Sequence, residues 1–175
     1  FIDRETVVIG DGGLALRATA ELAQIAKQVT LIAPTHGELD TLLGKRLLAS
    51  PNVVLMEGYH VEAVQGDEYA RAIVVKKGSD TRELKASAFF VELDLIPNSG
   101  LVSDLVECDS KGCIKIDERN RTNVPGVFAA GDVTDAFAEQ VLISIGEGAK
   151  AALAAYEYLL EQPVTELAGH GERPY

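Results

Sequence analysis

Thr6-Val7-Val8-Ile9-Gly10-Asp11-Gly12-Gly13-Leu14-Ala15 is the stretch whose reading decides the fold. Its first four residues are β-branched and uncharged, with no alternation of polar and apolar positions. That suits a strand buried on both faces of a parallel sheet. Gly10-Asp11-Gly12-Gly13 ends the strand, and the chain from Leu14 to Lys27 is rich in Ala, Leu, Glu and Gln, with Leu16, Ala20, Ala23 and Lys27 near helical register. A strand, a glycine turn and a helix in immediate succession open a βα unit.

Working outward, Val29-Thr30-Leu31-Ile32 predicts a second strand and Glu38 to Ala49 a second helix, which ends before Ser50-Pro51. Val53-Val54-Leu55-Met56 predicts a third strand. The order β-α-β-α-β is the signature of a doubly wound parallel sheet. The texture then changes: Tyr59 to Val64, Ala70 to Lys76 and Thr81 to Lys85 carry strand formers, separated by Gln65-Gly66-Asp67 and Lys77-Gly78-Ser79-Asp80. These predict a three-strand antiparallel meander. Phe89-Phe90-Val91, Cys113-Ile114-Lys115-Ile116 and Val127-Phe128-Ala129-Ala130 follow as short strands. An Ala-rich helix is expected from about Val141 to Leu160, and the polar tail from Pro163 to Tyr175 is expected to be loose.

Composition narrows the function classes. Lys and Arg number 16 against 27 Asp and Glu, a formal charge of −11 that repels phosphate backbones and anionic membrane surfaces alike. Neither nucleic acid nor membrane is therefore expected as a partner. No apolar run approaches the ~20 residues of a membrane span. Asp3, Arg4 and Glu5 interrupt the start before a signal sequence could develop. Two cysteines do not make a disulfide scaffold, and a cytoplasmic protein is expected. A strand begins within a few residues of Phe1 with no initiator Met, so an excised domain or processed fragment is expected.

Two motifs carry chemistry. Gly10-x-Gly12-x-x-Ala15, with Gly13 inside it, sits between a strand and a helix, where a dinucleotide fingerprint needs a tight turn and room for a pyrophosphate. The helix N-terminus supplies free N–H groups for the phosphates. The acid that would hold an adenosine ribose at the end of the second strand is missing: the chain has Ala33-Pro34-Thr35-His36 there. His36 could touch a phosphate or be inert. The second motif is Ala130-Gly131-Asp132-Val133 at the end of an apolar strand. Asp132 there could accept a hydrogen bond from a ligand hydroxyl, or could merely start a turn.

The stretch from Ile116 to Leu159 resembles the C-terminal end of bacterial thioredoxin reductases and of the flavoprotein subunit of alkyl hydroperoxide reductase. Ile145-Gly146-Glu147-Gly148-Ala149-Lys150-Ala151-Ala152 is similar to that family's last helix, and the Pro97-Asn98 loop also matches. The resemblance implies two Rossmann-like three-layer dinucleotide-binding domains with a β-meander crossover. Residues 1–88 would be the NAD(P)-binding domain, 89–162 the C-terminal part of an FAD-binding domain, and 163–175 a flexible tail. It implies FAD and NAD(P)H as cofactors, with Gly131, Asp132 and Val133 at the flavin's ribityl chain and Gln140 and Val141 against its pyrimidine. Gly10, Gly12, Gly13 and Ala15 would hold the nicotinamide nucleotide. It further implies a homodimer that passes hydride to flavin and electrons on to a thioredoxin-like or other disulfide protein, with no catalytic side chain needed in this chain.

Departures from the family's pattern concentrate on the nicotinamide side, where Gly13, Leu14 and Arg17 stand at altered places; Glu139 and Glu92-Leu93-Asp94 are others. The family's first flavin-binding half and its Cys-x-x-Cys are not in this sequence, and Cys108 and Cys113 flank a turn where the family has no redox pair. The altered first turn and missing ribose acid leave an alternative open, a non-catalytic flavin- or nucleotide-binding module of the same fold.

Overall fold

The computed structural model describes residues 1–93 and 95–163. They form two compact units, the first from Phe1 to Leu95 and the second from Ile96 onward. The first unit is a parallel sheet with helices against one face and a meander against the other. Its strands are β1 (Glu5–Ile9), β2 (Gln28–Ala33), β3 (Val53–Glu57) and β7 (Ala88–Val91), in the order β3-β2-β1-β7. Helices α1 (Gly13–Leu22) and α2 (Leu42–Leu48) join the first three strands, while β4 (His60–Gly66), β5 (Ala70–Lys77) and β6 (Asp80–Lys85) form a separate antiparallel sheet.

The burial pattern explains the uncharged strands. Val8, Leu31 and Val29 face the helices, where they pack with Leu16, Leu22 and Leu47. Val7, Ile9 and Ile32 face the other way, against Met56, Tyr59, Ile73 and Val75. Both faces of β1 and β2 are therefore dry, as in sheets covered on both sides. Tyr59 ties the meander to the sheet. Its hydroxyl donates to Asp80, which also pairs with Arg82, and the Arg82 guanidinium lies 5.2 Å from the ring centroid. Among the described residues, no helix is long and apolar enough to cross a membrane.

The structure moves several expected boundaries. The first helix stops at Leu22, short of Lys27, because the chain must turn for β2 to lie beside β1. Asn52 caps that turn, its side-chain amide donating to the carbonyls of Ala23 and Ala26 at 2.9 and 3.2 Å. The second helix starts at Leu42, not Glu38. Thr41 is its N-cap and accepts from the Gly44 N–H at 3.2 Å, so residues before it are spent in a turn. The expected division after residue 88 also moves. Phe89, Phe90 and Val91 pair in parallel register with Val7, Val8 and Ile9, so β7 belongs to the first unit's sheet.

In the second unit, α3 (Val141–Leu160) has the expected extent. The expected strands at 113–116 and 127–130 are not strands. Ile114 makes single bridges to Cys108 and Thr134, and Phe128 one to Arg121, whereas a strand needs a ladder over several residues. A hairpin nonetheless holds the second of these segments: Ala129 donates to the Asn120 carbonyl at 3.1 Å, and the buried Asn120 side chain donates to the Ala129 carbonyl at 2.9 Å. The Phe128 ring meets Tyr158 edge-on at 6.1 Å, and Arg119 pairs with Glu157 at 2.6 Å, which fixes the end of α3 to this hairpin. Except for Pro163, the tail expected to be loose lies outside the described residues.

Candidate functional site

In the first unit the chain runs β1, β2, β3 toward one edge and then returns to the far side of β1 as β7. The strand order thus reverses between β1 and β7, and ligands of open α/β sheets bind at the carboxyl ends beside such a reversal. The Gly-rich turn stands there. Gly10 donates to the Ile32 carbonyl at 2.9 Å, and Glu92 donates to Ile9 at 2.8 Å, so three strands converge on it. A Cβ on Gly10 would lie 2.1 Å from the Glu92 carbonyl oxygen and 2.9 Å from the Ala15 methyl. Only glycine fits, and Ala15, fully buried, is kept small by the same closeness.

Gly12 is the N-cap of α1, in extended conformation and with no side chain to cap the helix; the first turn carries no acid. The helix's first N–H groups therefore have neither intrahelical nor side-chain partners and can receive a phosphate. Gly13, the first helical residue, lies beneath two charged side chains: a Cβ on it would be 3.3 Å from Arg17 Nη1 and 3.4 Å from Glu38 Oε2.

The loop between β2 and α2 is fastened onto this turn. The Asp11 carboxylate accepts from both the backbone N–H and the hydroxyl of Thr35, each at 2.7 Å, and the Asp11 carbonyl accepts from the Glu38 N–H at 2.8 Å. Sequence reasoning gave Asp11 and Thr35 no role, and placed Glu38 after Ala33 on the following helix, away from the ribose. A polar pair at Thr35 and a glycine at 37 were the only signals, and neither says which turn the loop will meet. Ala33, where the ribose acid was looked for, is fully buried.

His36 is neither a free phosphate ligand nor an idle surface group. Its Nδ1 lies 2.9 Å from Glu57 and its Nε2 3.0 Å from Asp40. The hydrogen bond to Glu57, followed by that to Asp40, raises its pKa above the ordinary 6.5. Raised means that the folded state binds the proton more tightly. The clamp's stabilising contribution is complete below pH 6.5 and is lost as pH rises through the higher folded value. An NMR titration of the His36 ring is expected to show a midpoint above 6.5. Glu57→Gln and Asp40→Asn should each lower it, and a midpoint at or below 6.5 in the unsubstituted chain would contradict the clamp.

The second unit carries the other cluster. The Gly131 carbonyl accepts from both the N–H and the hydroxyl of Thr134, at 2.9 and 2.7 Å. The Val133 carbonyl accepts from Ile114 at 2.9 Å, which moors the Gly131-Asp132-Val133 corner to the 114–116 segment. The exposed Asp132 accepts one hydrogen bond, from the Ser144 hydroxyl to Oδ1 at 2.8 Å. Its Oδ2 accepts no side-chain hydrogen bond among the described residues. Gln140 is the N-cap of α3 but spends its side chain on no cap, and Val141 beside it is 76 % exposed. The structure thus brings Asp132 and the first turns of α3 together through Ser144. An exposed carboxylate, an uncapped helix N-terminus and the exposed apolar side chains Val141 and Leu142 stand at the head of α3.

Cys108 and Cys113 are free thiols. Cys108 bridges Ile114, and Asp109 pairs with Cys113 through a 2.8 Å hydrogen bond. That register puts the two cysteines on opposite faces of the hairpin. Burial, then the Asp109 charge, raises the Cys113 pKa, which lowers its thiolate fraction. Among the described residues no cluster of three or more His, Cys, Asp or Glu is arranged for a metal ion.

Comparison with known proteins places these features in context. The sequence profile of the pyridine nucleotide-disulphide oxidoreductases matches residues 2–157. The chain is 36 % identical over 163 residues to an alkyl hydroperoxide reductase component of Staphylococcus epidermidis, covering 91 % of this chain and 32 % of that protein. Against the Staphylococcus aureus protein of the same name it is 37 % identical over 163 residues, with the same coverage. Among solved structures, thioredoxin reductase from Streptococcus pyogenes superposes with a TM-score of 0.79 at 28 % identity, over 93 % of this chain and 54 % of that one. Thioredoxin reductase from Giardia duodenalis gives 0.79 at 26 %, over 91 % and 54 %. The chain thus spans about a third of the curated relatives and about half of the solved ones.

Proposed function

From a chain that belongs to the pyridine nucleotide-disulphide oxidoreductase family, we propose a flavoprotein of the thioredoxin-reductase type, in which NAD(P)H reduces FAD and the flavin reduces a disulfide. The first unit is read as the nicotinamide-dinucleotide domain and the second as the C-terminal part of the FAD domain. The observation that carries this reading is the Gly10–Ala15 turn at the point where strand order reverses, with an uncapped helix N-terminus behind it.

When bound, FAD supplies a two-electron relay between a nicotinamide and a disulfide. This chain's residues hold and orient. The N–H groups after Gly12 receive a diphosphate, Asp132 accepts from a ribityl hydroxyl, and Gln140 and Val141 face the pyrimidine edge. No side chain of the chain transfers a proton in this scheme. The only cysteines, Cys108 and Cys113, lie on opposite faces of a turn, so the reducible disulfide is supplied from outside these 175 residues, and the final acceptor is a thioredoxin-like or other disulfide protein.

The test is to mix the full-length protein that carries this chain with NADH or NADPH under anaerobic stopped flow. Loss of flavin absorbance, followed by thiol release from a disulfide substrate, is expected. A protein that binds nucleotide yet bleaches with neither would instead be a binding module.

A further inference from the structure

We propose that Glu38 is the carboxylate that reads the adenosine ribose of the nicotinamide nucleotide, and that it sets a preference for NADH over NADPH. The inference rests on the reading of the first unit as a dinucleotide domain, and adds a specificity-determining residue to it. A ribose diol in this fold is held by an acid close to the Gly-rich turn, ordinarily from the end of the second strand. Here that strand ends in Ala33, which is uncharged and fully buried.

The acid comes from further along. Gly37 adopts φ +46°, and a Cβ on it would lie 2.3 Å from the Asp11 carbonyl oxygen. This close approach folds the loop back onto the turn, and the Glu38 N–H then locks it through the Asp11 carbonyl at 2.8 Å. The Glu38 carboxylate ends with its oxygens 3.4 and 3.8 Å from the place of a Cβ on Gly13, the first residue of α1. It is exposed and sits beside the partial positive charge of the helix N-terminus.

The neighbouring acids are engaged elsewhere. Asp11 is bound by Thr35, while Glu57 and Asp40 hold His36. Among the described residues Glu38 is the carboxylate of this group that makes no side-chain hydrogen bond or ion pair. A carboxylate accepts well from a ribose hydroxyl and repels a phosphate at the same position. Arg17 Nη1, 3.3 Å from the same point on Gly13, lies one helical turn in from the N-terminus. It serves the diphosphate, which both nucleotides share.

Titration of this chain with NADH and with NADPH, followed by nicotinamide fluorescence, tests the assignment. NADH should bind more tightly. Glu38→Gln keeps the backbone lock and removes the charge, so NADH should weaken about tenfold, the scale of one charge-assisted hydrogen bond, while NADPH does not. Arg17→Gln should weaken both by a similar factor. Tighter binding of NADPH by the unsubstituted chain, or an unchanged NADH-to-NADPH ratio in a folded Glu38→Gln variant, overturns the Glu38 role. Failure of the unsubstituted chain to bind either nucleotide overturns the dinucleotide reading itself.

Discussion

Gly10→Ala is expected to lower the melting temperature of this chain's first unit by at least about 10 °C. The residue has φ +148°, and an added Cβ would lie 2.1 Å from the carbonyl oxygen of Glu92, the residue after β7, whose N–H donates to the Ile9 carbonyl at 2.8 Å. Relief requires β7 to move away from β1 or α1 to move away from both. Backbone strain costs roughly 1–3 kcal/mol and overpacking roughly 1–3 kcal/mol more. For a unit of this size each kcal/mol is worth about 4–8 °C. Gly78→Ala is the control. It also has positive φ, +59°, but nothing lies within 4 Å of its Cβ position, so it should cost only about 1–2 kcal/mol. Equal losses in the two variants would show that close approach at Gly10 contributes nothing.

Asp132→Ala is expected to strip flavin from the full-length protein. The change removes a charged acceptor whose one hydrogen bond, from Ser144, leaves Oδ2 for a ligand. The loss of a charge-assisted hydrogen bond is about 1.5–3 kcal/mol, or roughly 10- to 100-fold in affinity. Asp132→Asn keeps a neutral acceptor and should lose less. Flavin absorbance per protein after purification, and the dissociation constant of re-added FAD, are the readouts. Undiminished flavin content and affinity in the Ala variant would remove Asp132 from the site. Thr134 still braces the Gly131 corner, and because the Ala variant also loses the Ser144 hydrogen bond, an unchanged melting temperature separates loss of a ligand contact from loss of fold.

Several features were legible before any coordinates. The uncharged strands at Val7–Ile9 and Val29–Ile32 announce a sheet covered on both faces, and the structure covers one face with helices and the other with the meander. The turn residues of the meander are local, and its three strands were predicted to within about a residue or two. The family resemblance, carried by the motif from Ala130 to Val133 and by the last helix, agrees with the match over residues 2–157.

What the sequence by itself determined, then, was whatever rests on local propensity and period: the βαβαβ order, the Gly-rich turn after β1, the meander, and α3 with Gln140 at its head. Only the tertiary structure decided the properties that depend on which segments meet. Phe89–Val91 was assigned to the following domain because nothing in its residues names a partner, and its parallel register with Val7–Ile9 put it in the first sheet. Residues 113–116 and 127–130 have strand composition but only single bridges, because a ladder depends on a neighbour as well as on propensity. The ribose acid was sought at Ala33 by its place in the chain. Glu38 reaches the Gly-rich turn through a left-handed Gly37 and one hydrogen bond to Asp11, a contact between residues 27 positions apart that no local pattern encodes.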